Sequence, residues 1–192
     1  MTRSSIPLAL ALAAACTWAH AEPATYAIDP GHSSVTWEAL HMNTSSLRGR
    51  FLVKEGSVTV DRAARTGKAD ITIEMVSLAG ATVPAFDGAL RSERGFNVAA
   101  FPTARFVSDS MTFDGDKVQS VPGTLTLLGK SQPVTLQAVR FNCYVNSMVK
   151  RETCGGDFET TISRSQFGFN LSPQGAADGV KLLIQVEAIK TQ

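Results

Sequence analysis

Beyond its first twenty residues the sequence has no stretch both apolar enough and long enough to cross a bilayer as a helix. It also lacks a surplus of charge, with 18 Lys plus Arg against 17 Asp plus Glu and no block of like sign. Nucleic-acid binding needs a basic face to neutralise phosphates, and neither the composition nor any motif supplies one. Histidine is scarce. Outside the N-terminal segment only His32 and His41 remain, nine residues apart, which fits neither the helical i, i+4 pair nor the short pairings of structural zinc. No metal site and no cofactor are expected. Linkers, repeats and low-complexity stretches are missing too, so the chain reads as one domain.

The N-terminus is the exception to this even composition. Arg3 supplies a short positive region, residues 6–15 form an apolar run of ten, and Ala19-His20-Ala21 places small residues around a cut after Ala21. This is the layout of a secretory signal peptide, too short to span. Cys16 raises a rival reading, a lipoprotein acylated at that cysteine, although Ala13 stands where such signals carry Leu. The expected mature chain, 22–192, is periplasmic or secreted. It has 171 residues and zero formal charge, enough for one sizeable core.

After such a cut only Cys143 and Cys154 remain. An isolated pair in an oxidising compartment reads as a disulfide, and a redox-active pair would need Cys-x-x-Cys spacing at a helix start. Closing this loop removes unfolded-state entropy worth about 3 kcal/mol on the chain-entropy model. The ten residues between the cysteines are long for a hairpin turn, so the bridge is expected to clasp a loop near a barrel rim. With both thiols consumed, the pair cannot complete a ligand set with the histidines.

What is present is alternation. Val180, Leu182, Ile184, Val186 and Ala188 share one face of an extended segment, with Lys181, Leu183, Gln185 and Glu187 between them. Ala69-Asp70-Ile71-Thr72-Ile73-Glu74 repeats the pattern. Strands are expected at 33–41, 49–53, 57–60, 68–76, 104–113, 123–128, 134–141, 158–162 and 180–189, separated by turn signals such as Asp114-Gly115-Asp116. Residues 77–102 lack alternation and contain Pro84-Ala85-Phe86-Asp87-Gly88-Ala89-Leu90-Arg91, a loop with a short helix near 84–94 over one barrel end. A chain of half-apolar strands hides its face and removes its edges by closing into a barrel. About eight strands leave an interior that side chains either fill or open to one small ligand.

Two catalytic-looking motifs fail on inspection. Gly31-His32-Ser33-Ser34-Val35 resembles a hydrolase nucleophile elbow, but Val35 stands where the strained turn needs a small residue. Gly123-Thr124-Leu125-Thr126-Leu127-Leu128-Gly129-Lys130-Ser131 resembles a phosphate loop, yet it has five residues between its glycines instead of four, and Pro133 blocks the helix that should follow. The second segment reads as a strand and a turn.

Five segments in order resemble the YceI-like family of bacterial lipocalin-like polyisoprenoid-binding proteins. They are Tyr26-Ala27-Ile28-Asp29-Pro30-Gly31-His32-Ser33-Ser34-Val35-Thr36-Trp37, the hairpin Gly49-Arg50-Phe51 with Gly56 through Asp61, Phe101-Pro102-Thr103-Ala104-Arg105-Phe106-Val107-Ser108, the Gly123 segment, and Arg164-Ser165-Gln166-Phe167-Gly168. The resemblance implies an all-β, eight-stranded antiparallel barrel over 22–192 whose lumen holds a long isoprenoid or similar amphiphilic lipid, of the polyprenyl phosphate or quinone type. It also implies a possible membrane cytochrome b561-type or quinone-linked partner. In the helical loop, Ala89 replaces the family's His, and Gly95 replaces one of two aromatics before Phe96.

Trp37, Phe51, Ile71, Ile73, Phe106 and Phe167 are the candidate wall residues. At the mouth, Arg91, Arg94 and Arg164 are candidates for an anionic head, and His41 or Asp87 for a neutral quinone ring. Apolar walls discriminate weakly, so polar groups at the mouth are expected to select the ligand. The expected function is a carrier with no chemistry of its own. The alternatives are an enzyme acting on an isoprenoid, for which no convergent ionisable pair stands out, and a structural or interaction module with a filled barrel.

Overall fold

The computed structural model describes residues 22–80, 84–172 and 174–191. The signal-peptide and Cys16 readings lie outside them. Ten strands run β1 (Ala24–Ile28), β2 (Ser34–His41), β3 (Ser45–Asp61), β4 (Thr66–Ala79), β5 (Thr103–Ser108), β6 (Thr112–Asp114), β7 (Lys117–Leu127), β8 (Lys130–Asn146), β9 (Arg151–Ser163) and β10 (Ala176–Lys190). One helix, α1 (Pro84–Arg91), precedes β5. The order β10-β2-β3-β4-β5-β7-β8-β9 is antiparallel throughout, and β9 pairs again with β10. This ring of eight strands is the barrel.

Strand β1 is a short extra stave. Its residues pair with β10 on one side and with 57–60 of β3 on the other, while β2 pairs with 45–52 of the same strand. A single 3₁₀ turn, Pro30–His32, separates β1 from β2. Asp29 organises it, accepting from the Gly31 amide at 2.9 Å and pairing with His32 Nδ1 at 2.8 Å.

The alternating residues of β10 point as their period demands. All five apolar positions from Val180 to Ala188 face the lumen. Strand β4 likewise turns Ala69, Ile71, Ile73 and Met75 inward. Elsewhere the period breaks. Residues 49–53 and 57–60 belong to one 17-residue strand, not to two arms of a hairpin. Between Val53 and Glu55 the strand takes two steps against one on β4, from Ile73 to Thr72, and this shift changes its phase. Leu47, Phe51 and Val53 line the lumen before the shift, Val58 and Val60 after it. A bulge adds one residue, so the inward set moves from odd to even positions and a single strand reads as two. Strand β8 does the same at Ala138/Arg140, and so extends well past the expected 134–141.

The expected strand 104–113 is divided. β5 ends at Ser108, whose hydroxyl oxygen lies 2.6 Å from the backbone carbonyls of both Ser110 and Pro122 and has one proton to give to either. A side chain that takes over backbone acceptors ends the regular ladder. Leu128 and Gly129, both at positive φ, make the hairpin turn between β7 and β8, and Lys130 and Ser131 already belong to β8.

The cysteines sit directly opposite each other on β8 and β9 and are bonded. The segment between them is not a loose loop. Both strands continue past the bridge to Asn146 and Arg151, and only four residues make the turn. There Asn146 Oδ1 accepts from the amides of Met148 and Val149. Cross-strand pairing extends the hairpin where composition alone suggested a loop. Replacing both Cys143 and Cys154 by Ser should lower unfolding free energy by about 2–4 kcal/mol. Denaturant melts check this, and denatured unreduced protein should show neither thiol free.

Candidate functional site

The inward positions leave space because many are small. Ala39, Ala69, Ala104 and Ala188, with valines at 35, 53, 58 and 60, line the interior instead of bulkier side chains. The result is a cavity of about 590 Å³ running the length of the barrel. That lies within the usual range of about 300–1,000 Å³ for sites that bury small molecules.

One end is closed. Tyr26, Met111 and Val118 form its floor at 2 %, 8 % and 4 % exposure. The Tyr26 hydroxyl donates to Glu152 at 2.9 Å, and Arg62 donates to the other Glu152 oxygen at 2.5 Å. Burial, then the hydrogen bond and negative charge of Glu152, push the Tyr26 pKa up to about 12. Burial also works against the ionised Glu152, but the Arg62 and Tyr26 hydrogen bonds outweigh it and hold the carboxyl below its ordinary value. The disulfide lies nearby, and Cys154 contributes to the wall. Its sulfurs and Glu152 come within 4.8 Å of one another, but a disulfide offers no thiolate to a cation.

The other end is the mouth, where the lining residues His41 and Ser172 are exposed. Helix α1 packs here, with Phe86 and Leu90 turned inward at i, i+4 spacing. Phe96 stands in an aromatic collar. Its ring centroid lies 5.0 Å from Phe51 and 4.8 Å from Phe169, both edge-on, and 6.4 Å from Trp37. The residues 84–98 thus narrow the opening from one side.

Arg164 closes the other side. It is 8 % exposed and lines the lumen. Nε donates to Ala177 O at 3.0 Å, Nη1 to Leu171 O at 2.7 Å, and Nη2 to Ser172 O and Ala176 O at 3.2 and 2.9 Å. Its guanidinium also lies 5.6 Å from the Phe169 ring centre. A guanidinium carries five N–H groups, so one Nη1 donor is left over, together with the charge. These four bonds hold the backbone of Leu171, Ser172, Ala176 and Ala177 at the rim.

Among the candidate wall residues, Trp37, Phe51, Ile71, Ile73 and Phe106 line the lumen together with the mouth residues His41 and Arg164. Phe167 does not. It is packed at 1 % exposure in the larger core cluster. A 3₁₀ turn spans Arg164–Phe167 and Gly168 follows in the left-handed region at φ 83°, so the period of two fails and Phe169 faces inward instead. Asp87 and Arg91 also stand off the lumen. They pair with each other at 2.7 Å, and Arg91 donates to the carbonyls of Val76 and Leu78, which pins α1 to the end of β4. Arg94 is exposed and lines nothing. Phe86, Leu90, Phe96 and Phe169 are wall residues that strand periodicity missed, because none lies on a strand. The Phe86/Leu90 spacing was the available signal.

Trp37 lies flat against Gly49, its partner across β2 and β3. A Cβ at Gly49 would stand 2.5 Å from the ring, which a real contact does not allow. The indole Nε1 is buried without a hydrogen-bond partner among the described residues. Gly123 gives Phe106 the same freedom, a Cβ there falling 2.5 Å from the ring.

The model of the YceI-like domain matches residues 26–188. A UPF0312 protein of Pseudomonas putida is 32 % identical over 186 residues, covering 95 % of each chain. The crystal structure of BcnA from Burkholderia cenocepacia superposes with a TM-score of 0.64 at 25 % identity, over 84 % of this chain and 99 % of that one. A polyisoprenoid-binding domain from Saccharophagus degradans, implicated in plant cell wall breakdown, shares the fold with a TM-score of 0.55 at 13 % identity, over 86 % and 98 % of the two chains.

Gly49→Ala should push the Trp37 ring into the lumen. Overpacking of this kind costs about 1–3 kcal/mol. The expected outcome is a lower melting temperature with a shifted Trp37 emission; unchanged emission would mean that the ring does not rest on Gly49.

Proposed function

The chain belongs to the YceI-like family, and from that premise and the shape of its lumen we propose that it holds a long-chain isoprenoid or similar amphiphilic lipid, with no chemistry of its own. The observation that carries this reading is the apolar lumen, closed at the Tyr26 floor and open at His41. A polyprenyl chain has large apolar area and almost no hydrogen-bonding groups. Burying it stabilises the complex by about 25 cal/mol per Å² of apolar surface, and only shape and apolar walls are required. The polyisoprenoid-binding relative from Saccharophagus supports the same ligand class through its shared fold. A barrel filled by its own side chains would leave no such space, which weighs against a purely structural module.

The tail occupies the lumen toward the floor and the head stays at the mouth. Of the candidate cations, Arg164 is the one in the wall, with an uncommitted Nη1 donor, whereas Arg91 latches a helix and Arg94 faces solvent. An anionic phosphate head therefore suits this mouth better than a neutral quinone ring, for which His41 is the remaining donor. Location in the periplasm, and a quinone-linked or cytochrome b561-type partner, belong to the same proposal.

Native mass spectrometry of protein isolated from its host should show a lipid-sized adduct. A prenyl phosphate should bind more tightly than the alcohol of equal chain length. Ala104→Phe, which fills the lumen wall, should abolish both. Protein that is always ligand-free and binds neither lipid would refute the carrier reading, and equal affinities would remove Arg164 from head-group recognition.

A further inference from the structure

The end of the barrel opposite the mouth carries an exposed apolar tip. In the β8–β9 hairpin Val145 is 73 % exposed, Met148 89 %, Tyr144 45 % and Val149 39 %. Such side chains, scattered singly, need no explanation, but here they share one turn. The turn is also ordered, not frayed. Asn146 accepts from the amides of Met148 and Val149, its carbonyl accepts from the Lys150 amide at 2.8 Å, and the Cys143–Cys154 bridge ties the strands three pairs behind. Met148 and Val149 are thus held out into water by the backbone itself.

Cations flank the tip. Lys150 and Arg151 follow directly and are exposed, and Lys190, the last residue of β10, lies alongside, paired with Tyr26 of β1. Of the neighbouring carboxylates, Glu152 is paired with Arg62 and accepts from Tyr26, whereas Glu187 accepts from the neutral Tyr144 hydroxyl at 3.2 Å and keeps its charge, so the three cations outnumber it. Asp116, on the β6–β7 turn, faces Arg62.

We propose that this hairpin tip docks the protein on an anionic bilayer surface, with Met148, Val149 and Val145 entering the acyl boundary and Lys150 and Arg151 meeting lipid phosphates. Apolar groups at a tip with cations behind them match the layering of a bilayer interface. A protein partner fits less well, because a stable interface buries about 800 Å² on each side, more than one narrow turn presents. Docking by this end leaves the mouth facing away from the membrane, free to exchange its lipid with a second carrier or receptor.

Flotation of the host-isolated protein with vesicles of phosphatidylglycerol and phosphatidylcholine tests this. Binding is expected to these vesicles, to weaken with salt, and to be much lower on phosphatidylcholine alone. Met148→Ser with Val149→Ser should reduce partitioning by about tenfold or more. Lys150→Ala and Arg151→Ala should each reduce it about fivefold. Leu40→Ser with Met42→Ser, exposed apolar residues at the mouth end, should change nothing. Lipid adducts by native mass spectrometry should survive all the tip substitutions, which separates this proposal from the carrier reading. No vesicle binding, binding indifferent to the tip, or loss only in the Leu40/Met42 variant would overturn it.

Discussion

Closure of the sheet is the constraint on which the rest depends. β10 pairs with β9 over eleven residues and with β2 on its other edge, so the last strand of the chain completes the ring. Until it does, a row of apolar side chains and a sheet edge both face water. Closure pairs the edge and encloses the apolar face in one step. The same event creates the cavity, since the enclosed face is lined by alanines and valines too small to meet in the middle.

The two ends of this closed cylinder are built by different means. At the floor, side chains from several staves meet: Tyr26 from β1, Val118 from β7, Met111 from just before β6, and the Glu152–Arg62 pair. Met111 reaches over Gly67, where a Cβ would lie 2.5 Å from its sulfur. At the mouth, non-strand segments do the work. α1 and the Phe96 segment lean in from one side, and Leu171, Ser172, Ala176 and Ala177 are held by Arg164 on the other. Segments held by a few side-chain contacts open at lower free energy than a continuous ladder, so the mouth is the end that opens more readily.

Much was legible in the residues themselves. Where a strand carries no register shift of its own, as from Ala69 to Ile73 in β4 and from Val180 to Ala188 in β10, alternation named the lumen-facing side chains one by one. The cysteine pairing followed from scarcity, and the short helix from proline and the loss of alternation. Misreadings fell where the backbone leaves the regular period. The phase shifts in β3 and β8 disguised long strands as short ones. Gly168 at positive φ exchanged Phe169 for Phe167 in the wall, and Arg91 turned to its own helix and β4.

The sequence by itself determined that this chain is a run of half-apolar strands with one face to hide; two packed sheets would hide it as well as a barrel, so the eight-stranded antiparallel barrel was what the family resemblance implied. Tertiary structure alone decided which end opens, which arginine joins the wall, and that the tip of the cysteine hairpin stands in water with its apolar side chains exposed. Each of these depends on contacts that strand alternation does not encode: Arg164 on the carbonyls of Leu171, Ser172, Ala176 and Ala177, Tyr26 on Glu152, and β9 on β10. Local periodicity carries no information about such meetings, since they are fixed by register and closure across the whole ring.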